Sequence, residues 1–160
     1  MSKNYKVIKN FLPEKILVNL HKNKGFLIFK NTWFNYPFES DYHNLIIEEA
    51  KSFVNLDNIV GLEQWHHNPH FMPLPGEHYD KNEYLYATEE KLEFPLCSCI
   101  LYMKIEDLVG SNLLIENEIE LVPETNTLIL MKPGVLHAVT DFTSGTRTSL
   151  NINPWDKKLI

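Results

Sequence analysis

From Asn58 onward, apolar residues arrive in short runs, IVGLEQW, EFPLCSCILYM, NLLIE, IELV, TLILM, HAVTDF and TRTSLNIN, separated by Pro, Gly and Asn. Short runs bounded by turn formers predict strands. No helical period lies between them, so a parallel sheet with crossover helices is excluded and a sandwich or jelly roll is expected. Upstream the period changes. In NFLPEKILVNLHKNKG, Pro13 suits a first helical turn, Ile16, Leu17 and Leu20 fall on one face, and Gly25 can close the helix. FLIFKNTWFNYPF reads as extended. Ser40 can then cap a second helix over DYHNLIIEEAKSFV, where Leu45, Ala50 and Phe53 lie near one stripe that Ile46 widens. The expected fold is therefore mainly β (α+β), a jelly roll braced by two N-terminal helices. One domain over residues 1–160 is expected, with helical support over about 1–57 and the jelly-roll core over about 58–155.

Composition narrows the function classes. A length of 160 residues allows one sizeable core and not two. The formal charge of −6 is spread along the chain without a basic block, which argues against nucleic acid as a partner. No apolar run approaches a membrane span, and MSKNYKVIKNFLPEKIL lacks a secretory h-region, so no membrane partner and a cytoplasmic location are expected. Cys97 and Cys99 share one face of an extended segment, too awkward for a mutual disulfide, and read as small buried hydrophobes. Oligomeric state is not legible.

Candidate chemistry gathers late in the chain. Of seven histidines, His21 and His43 fall in the expected helices. His66, His67 and His70 in WHHNPHF have no carboxylate or cysteine at ligand spacing and read as polar loop residues. His78 is different, because Asp80 follows two residues later and an extended chain turns both to one side. With His137, which follows the Pro-Gly turn of KPGVLHAVTDF, they make two histidines and one carboxylate, the non-haem Fe(II) ligand pattern. Arg147 is the one arginine among fourteen lysines and lies ten residues past His137, beyond TSG. A hairpin there would bring both side chains into one cavity, where a planar donor fork suits a carboxylate better than an ammonium does. A lone arginine in a lysine-biased chain is equally compatible with a surface residue. Trp65 is expected in the core, with the mouth of the site as the alternative.

His78-Tyr79-Asp80, His137 and Arg147, with CILYM between them, resemble the 2-oxoglutarate and Fe(II)-dependent oxygenases, in their prolyl 4-hydroxylase-like branch, over roughly residues 60 to 155. FLPEK is similar to the N-terminal helix entry of these proteins, which occur in bacteria and phages among other sources. The resemblance implies a double-stranded β-helix, a distorted, cupin-like jelly roll. It implies His78, Asp80 and His137 as iron ligands and Arg147 on the far carboxylate of 2-oxoglutarate. Tyr102 would place its hydroxyl on the same carboxylate, with Ser98 and Ile100 sharing its inward face. Ile100, Leu113, Ile115 and Val139 would form apolar walls, Ser149 would add a hydrogen bond, and Asn151 would sit near the metal. Implied cofactors are Fe(II), with 2-oxoglutarate and O2 as co-substrates and ascorbate as an auxiliary reductant. The implied reaction is hydroxylation of a C–H bond, a prolyl residue of a protein or peptide first, releasing succinate and CO2. The same chemistry on a free amino acid or other small molecule stays open, as does a catalytically silent binding module. The chain departs from the family pattern at Gly110-Ser111, where many members have Gly-Gly, and in YLYATEEKLEF, whose acidic and aromatic character does not match it.

Overall fold

The computed structural model describes residues 3–23, 31–70 and 72–159. Gly25 and the FLIFK part of the expected extended segment lie outside them. The described elements, in chain order, are β1 (Tyr5–Ile8), α1 (Glu14–Lys22), β2 (Thr32–Asn35), α2 (Asp41–Lys51), β3 (Gly61–His67) and α3 (Glu83–Glu89). There follow β4 (Ser98–Gly110), β5 (Leu113–Ile115), β6 (Ile119–Leu121), β7 (Thr127–Met131), β8 (His137–Val139) and β9 (Phe142–Trp155). They form an antiparallel six-stranded sheet in the order β1-β7-β4-β9-β3-β2 and a three-stranded sheet in the order β6-β5-β8. This is the expected jelly-roll arrangement. No helix among the described residues is long and apolar enough to cross a membrane.

Strand parity divides the core in two. On β4, Cys99, Leu101 and Met103 face outward with Leu128 and Leu130 of β7 and Leu150 and Ile152 of β9, and the two N-terminal helices cover that face. Ile100 and Tyr102 face inward with Ile129 and Met131, and meet Leu113 and Ile115 of the smaller sheet. Both faces of the central strands are thus buried, which is why CSCILYM and TLILM read as unbroken apolar runs. Each such buried side chain contributes about 1.5–3 kcal/mol of hydrophobic stabilisation. Cys97 and Cys99 are buried and free, as expected.

Three local expectations are corrected and one element is added. The buried face of α2 is Tyr42, His43, Ile46, Ile47 and Ala50, while Leu45 is exposed, because the helix sits on the sheet by its aromatic side. Residues 5–8 form an edge strand bonded to β7, a pairing too short to leave a sequence signal. A third helix, α3, occupies most of the unmatched YLYATEEKLEF segment; Asn82 caps it, accepting from the Leu85 N–H at 3.1 Å. Finally, His137 and Arg147 are not on one hairpin. β8 pairs with β5, whereas β9 crosses to the other sheet between β4 and β3. TSG lies inside β9, where Gly145 has φ +93° and a Cβ would stand 2.3 Å from the Asp107 carbonyl oxygen. Gly145 lies opposite a bulge in β4, where Glu106 to Val109 holds one residue more than Thr146 to Ser144 of β9; it does not reverse the chain.

Candidate metal centre and its cavity

His78 and His137 come together through their backbones. The His78 N–H donates to the His137 carbonyl at 2.9 Å and the His137 N–H returns the bond at 3.0 Å, an isolated antiparallel bridge. Residues directly opposed in such a bridge leave on the same side, and the two rings lie with centroids 4.3 Å apart. Nδ1 of His78 is 2.7 Å from the Gly76 carbonyl and Nδ1 of His137 is 2.9 Å from that of Val135. A carbonyl only accepts, so each Nδ1 carries the hydrogen and each Nε2 keeps a lone pair directed at a metal position.

Asp80 completes the set. Its Oδ1 lies 3.6 Å from Nε2 of His78 and 3.7 Å from Nε2 of His137, and the three ligand atoms all fall within 4.8 Å of one another. Two atoms each about 2.1 Å from one ion are at most about 4.2 Å apart, so both carboxylate–imidazole spacings suit a shared ion. Burial alone would raise the Asp80 carboxyl, but contacts with His78, His137 and Ser98 outweigh it and hold the group ionised below its usual range. Contact with Asp80 raises His78, whereas burial lowers His137. Two imidazoles and one carboxylate on one side of an ion leave open positions opposite, the donor set of non-haem Fe(II).

A cavity of about 190 Å³ opens beside the three ligands. That is room for about six waters, below the roughly 300 Å³ at which drug-sized sites begin. Ile100, Leu113 and Val139 give it apolar walls and Asn151 a polar one, while Ile115 packs in the inter-sheet core. Arg147 also lines it, although only 2% exposed. Among the described residues no carboxylate forms an ion pair with it. Its Nη1 meets Nδ1 of His67 at 2.7 Å, and its Cζ lies 5.4 Å from the centre of the Tyr102 ring.

Behind the cavity, the Arg147 Nε, Ser149 Oγ and Thr127 Oγ1 are buried without a hydrogen-bond partner, and the Tyr102 hydroxyl is buried against Arg147. Tyr102 stands opposite Thr127 on β7 and Ser149 on β9, so these atoms are neighbours. Burial pushes the Tyr102 phenol up, against the pull of the Arg147 charge. A buried cation without a counter-ion costs several kcal/mol. The donors beside it are arranged to receive a small anion, and a carboxylate accepts from several at once.

Two expectations change here. His66 and His67 are not loop residues but buried members of β3, opposite Leu150 and Ser149, and His67 holds the arginine. Trp65 lines the cavity and is not a core residue. Neither role, nor that of Thr127, has a signal in the sequence, because each depends on β3 or β7 pairing with a distant strand.

No protein-family model and no curated protein sequence matches the chain. Solved structures do. The chain is similar to a viral collagen prolyl hydroxylase from Paramecium Bursaria Chlorella virus-1 (TM-score 0.67, 21% identity, 94% of this chain and 89% of that one). A 2OG complex of that viral enzyme gives a TM-score of 0.66 at 19% identity, covering 97% of both chains. A Pseudomonas putida prolyl-4-hydroxylase gives 0.65 at 13% identity, covering 97% of this chain and 89% of that one. The chain therefore has the fold of the prolyl 4-hydroxylase-like 2-oxoglutarate oxygenases, a double-stranded β-helix.

Proposed function

We propose that this protein is a 2-oxoglutarate- and Fe(II)-dependent dioxygenase that hydroxylates a C–H bond, with a prolyl residue of a peptide as its first candidate substrate. The observation that carries the reading is a buried, anion-less guanidinium on the wall of the same small cavity as a two-histidine, one-carboxylate cluster. The prolyl assignment draws on the prolyl hydroxylases that share the fold.

In this reading His78 and His137 offer Nε2 lone pairs and Asp80 a negative charge to the iron, each ring held by its Nδ1 bond to a backbone carbonyl. Arg147 receives the far carboxylate of 2-oxoglutarate, and the hydroxyls of Tyr102 and Ser149 supply further donors to it. Ile100, Leu113 and Val139 keep water from the keto acid, and Asn151 orients groups at the metal end. Iron and 2-oxoglutarate, when bound, supply the oxidative chemistry, in which O2 is consumed in converting the keto acid to succinate and CO2 and hydroxylating the substrate.

The test is anaerobic addition of Fe(II) and 2-oxoglutarate to the purified protein, with a visible charge-transfer band expected. Admission of air, with ascorbate as auxiliary reductant, should then release succinate. A protein that binds neither metal nor keto acid ends the proposal. Turnover with free L-proline but not with a blocked prolyl peptide would move the substrate to the small-molecule class.

A further inference from the structure

Strand parity carries the inward row of β3 along two cavities. Leu62 and Gln64 point outward to the helices, so Glu63, Trp65 and His67 point inward, opposite Asn153, Asn151 and Ser149 of β9. His67 and Trp65 line the cavity of Arg147. Trp65 and Glu63 line a second, of about 220 Å³, which adjoins the first at Trp65, His78 and Asp80. The first cavity holds a cation without a counter-ion. The second holds the reverse.

Its anion is Glu63. One carboxylate oxygen accepts from Trp155 Nε1 at 3.1 Å, the other from Asn31 Nδ2 at 3.2 Å, and the Asn153 carboxamide adds a further bond. Indole and carboxamide N–H groups are neutral donors, so they orient the carboxylate without cancelling its charge. Among the described residues no ion pair reaches Glu63. Lys81, on the wall of the same cavity, is engaged elsewhere: its Nζ bonds to Glu83 at 3.1 Å and lies 4.9 Å from the centre of the Tyr86 ring. Burial raises the Glu63 carboxyl to about 7 although the Trp155 bond opposes it. A carboxylate so placed gains from a cation brought beside it.

The metal site does not supply that cation. In the oxygenase reading the charges of a divalent ion, Asp80, doubly ionised 2-oxoglutarate and Arg147 cancel, as do those of Lys81 and Glu83. Glu63 is left over. We propose that Glu63 determines specificity by pairing with a protonated amine of the substrate, held in the second cavity so that a neighbouring C–H bond faces the metal. Trp65, on the wall of both cavities, is an aromatic neighbour of the kind that cations favour. The proposal rests on the oxygenase reading for the metal and for the reaction, whereas the unpaired carboxylate stands apart from it. The amine has two sources, the α-ammonium of a free amino acid and the lysyl side chain of a peptide, and the experiment separates them.

Trp155 donates to Glu63, so its ¹⁵N indole signal reports on the carboxylate. In protein mixed with Zn(II) and 2-oxoglutarate at constant ionic strength, n-butylammonium chloride should shift that signal with an affinity about tenfold or more above that of 1-butanol. Glu63→Gln should bring the two within about threefold, and Glu63→Asp should keep the preference. Two further pairs locate the amine: L-proline against N-acetyl-L-proline, and acetyl-Lys-Pro-Gly-amide against acetyl-norleucyl-Pro-Gly-amide. A preference of about tenfold for the charged member of the first pair assigns a free amino acid, and of the second a lysyl peptide. Equal affinity for n-butylammonium and 1-butanol in the unaltered protein overturns the proposal, and so does a preference that survives Glu63→Gln in full. Absence of Zn(II) and 2-oxoglutarate binding with the preference for n-butylammonium intact would sink the oxygenase reading and leave the cation site standing. The reverse result would sink the cation site alone.

Discussion

Nη1 of Arg147 lies 2.7 Å from Nδ1 of His67, and that contact fixes the state of both partners. A guanidinium only donates, so Nδ1 must accept, which makes His67 neutral with its hydrogen on Nε2, 3.3 Å from the Pro73 carbonyl. With Nη1 engaged, the Nε–Nη2 edge is left for a carboxylate. His67→Phe should therefore raise the 2-oxoglutarate dissociation constant about tenfold, the equivalent of one hydrogen bond to a charged group. His67→Asn should restore most of it, because a side-chain oxygen can accept from Nη1. Calorimetric titration with Mn(II) should give equal metal affinity in all three proteins.

The same histidine predicts a pH dependence. Burial, with the Arg147 charge second, lowers His67 to about 4 from an ordinary 6.5. Its unfolded form thus binds a proton that the folded form refuses between those values. Stability from the neutral ring is fully present above pH 6.5 and is lost as pH falls toward 4. Over that window the native protein should lose about 3 kcal/mol relative to His67→Asn. Glu63, raised by burial to about 7, acts with the opposite sign over part of the same range, so the two proteins are compared at each pH by denaturant melts.

Arg147→Lys places a compact ammonium where the bonds to His67 and a carboxylate need a planar fork. The co-substrate should weaken by two decades or more, while Mn(II) affinity changes by less than about threefold. Equal loss of both would count against the assigned role.

Asp80→Ala removes the one anionic ligand and leaves His78 and His137 side by side. Divalent metal binding should fall below detection in the same titration, and the charge-transfer band should vanish. Folding should survive, because the backbone bridge between the histidines does not involve the carboxylate.

Gly145→Ala tests the close approach of β9 to the bulge in β4. The added methyl would meet the Asp107 carbonyl at 2.3 Å with the backbone at φ +93°. A cost of about 3 kcal/mol is expected, seen as a fall in melting temperature of roughly 10 °C for a chain of this size.

Much of this was legible in the chain. Runs such as TLILM and CSCILYM announce strands buried on both faces, and the pairing of His78 with Asp80 needs only two-residue alternation. What stayed hidden depends on pairing between distant strands. His67 looks like any histidine of WHHNPHF until β3 sets it opposite Ser149, two residues along β9 from Arg147. Asn153 reads as one more polar position of an alternating strand, with nothing to say that its carboxamide is buried beside Glu63. The hairpin expected between His137 and Arg147 failed because a turn signature such as TSG reports a local positive φ, and close approach to the bulge in β4 uses the same one.

The clasp between His78 and His137 is made of main-chain atoms alone. It is therefore indifferent to what surrounds it, provided neither position becomes proline. Substitutions in the lining of the cavity would thus leave the spacing of the two imidazoles in place.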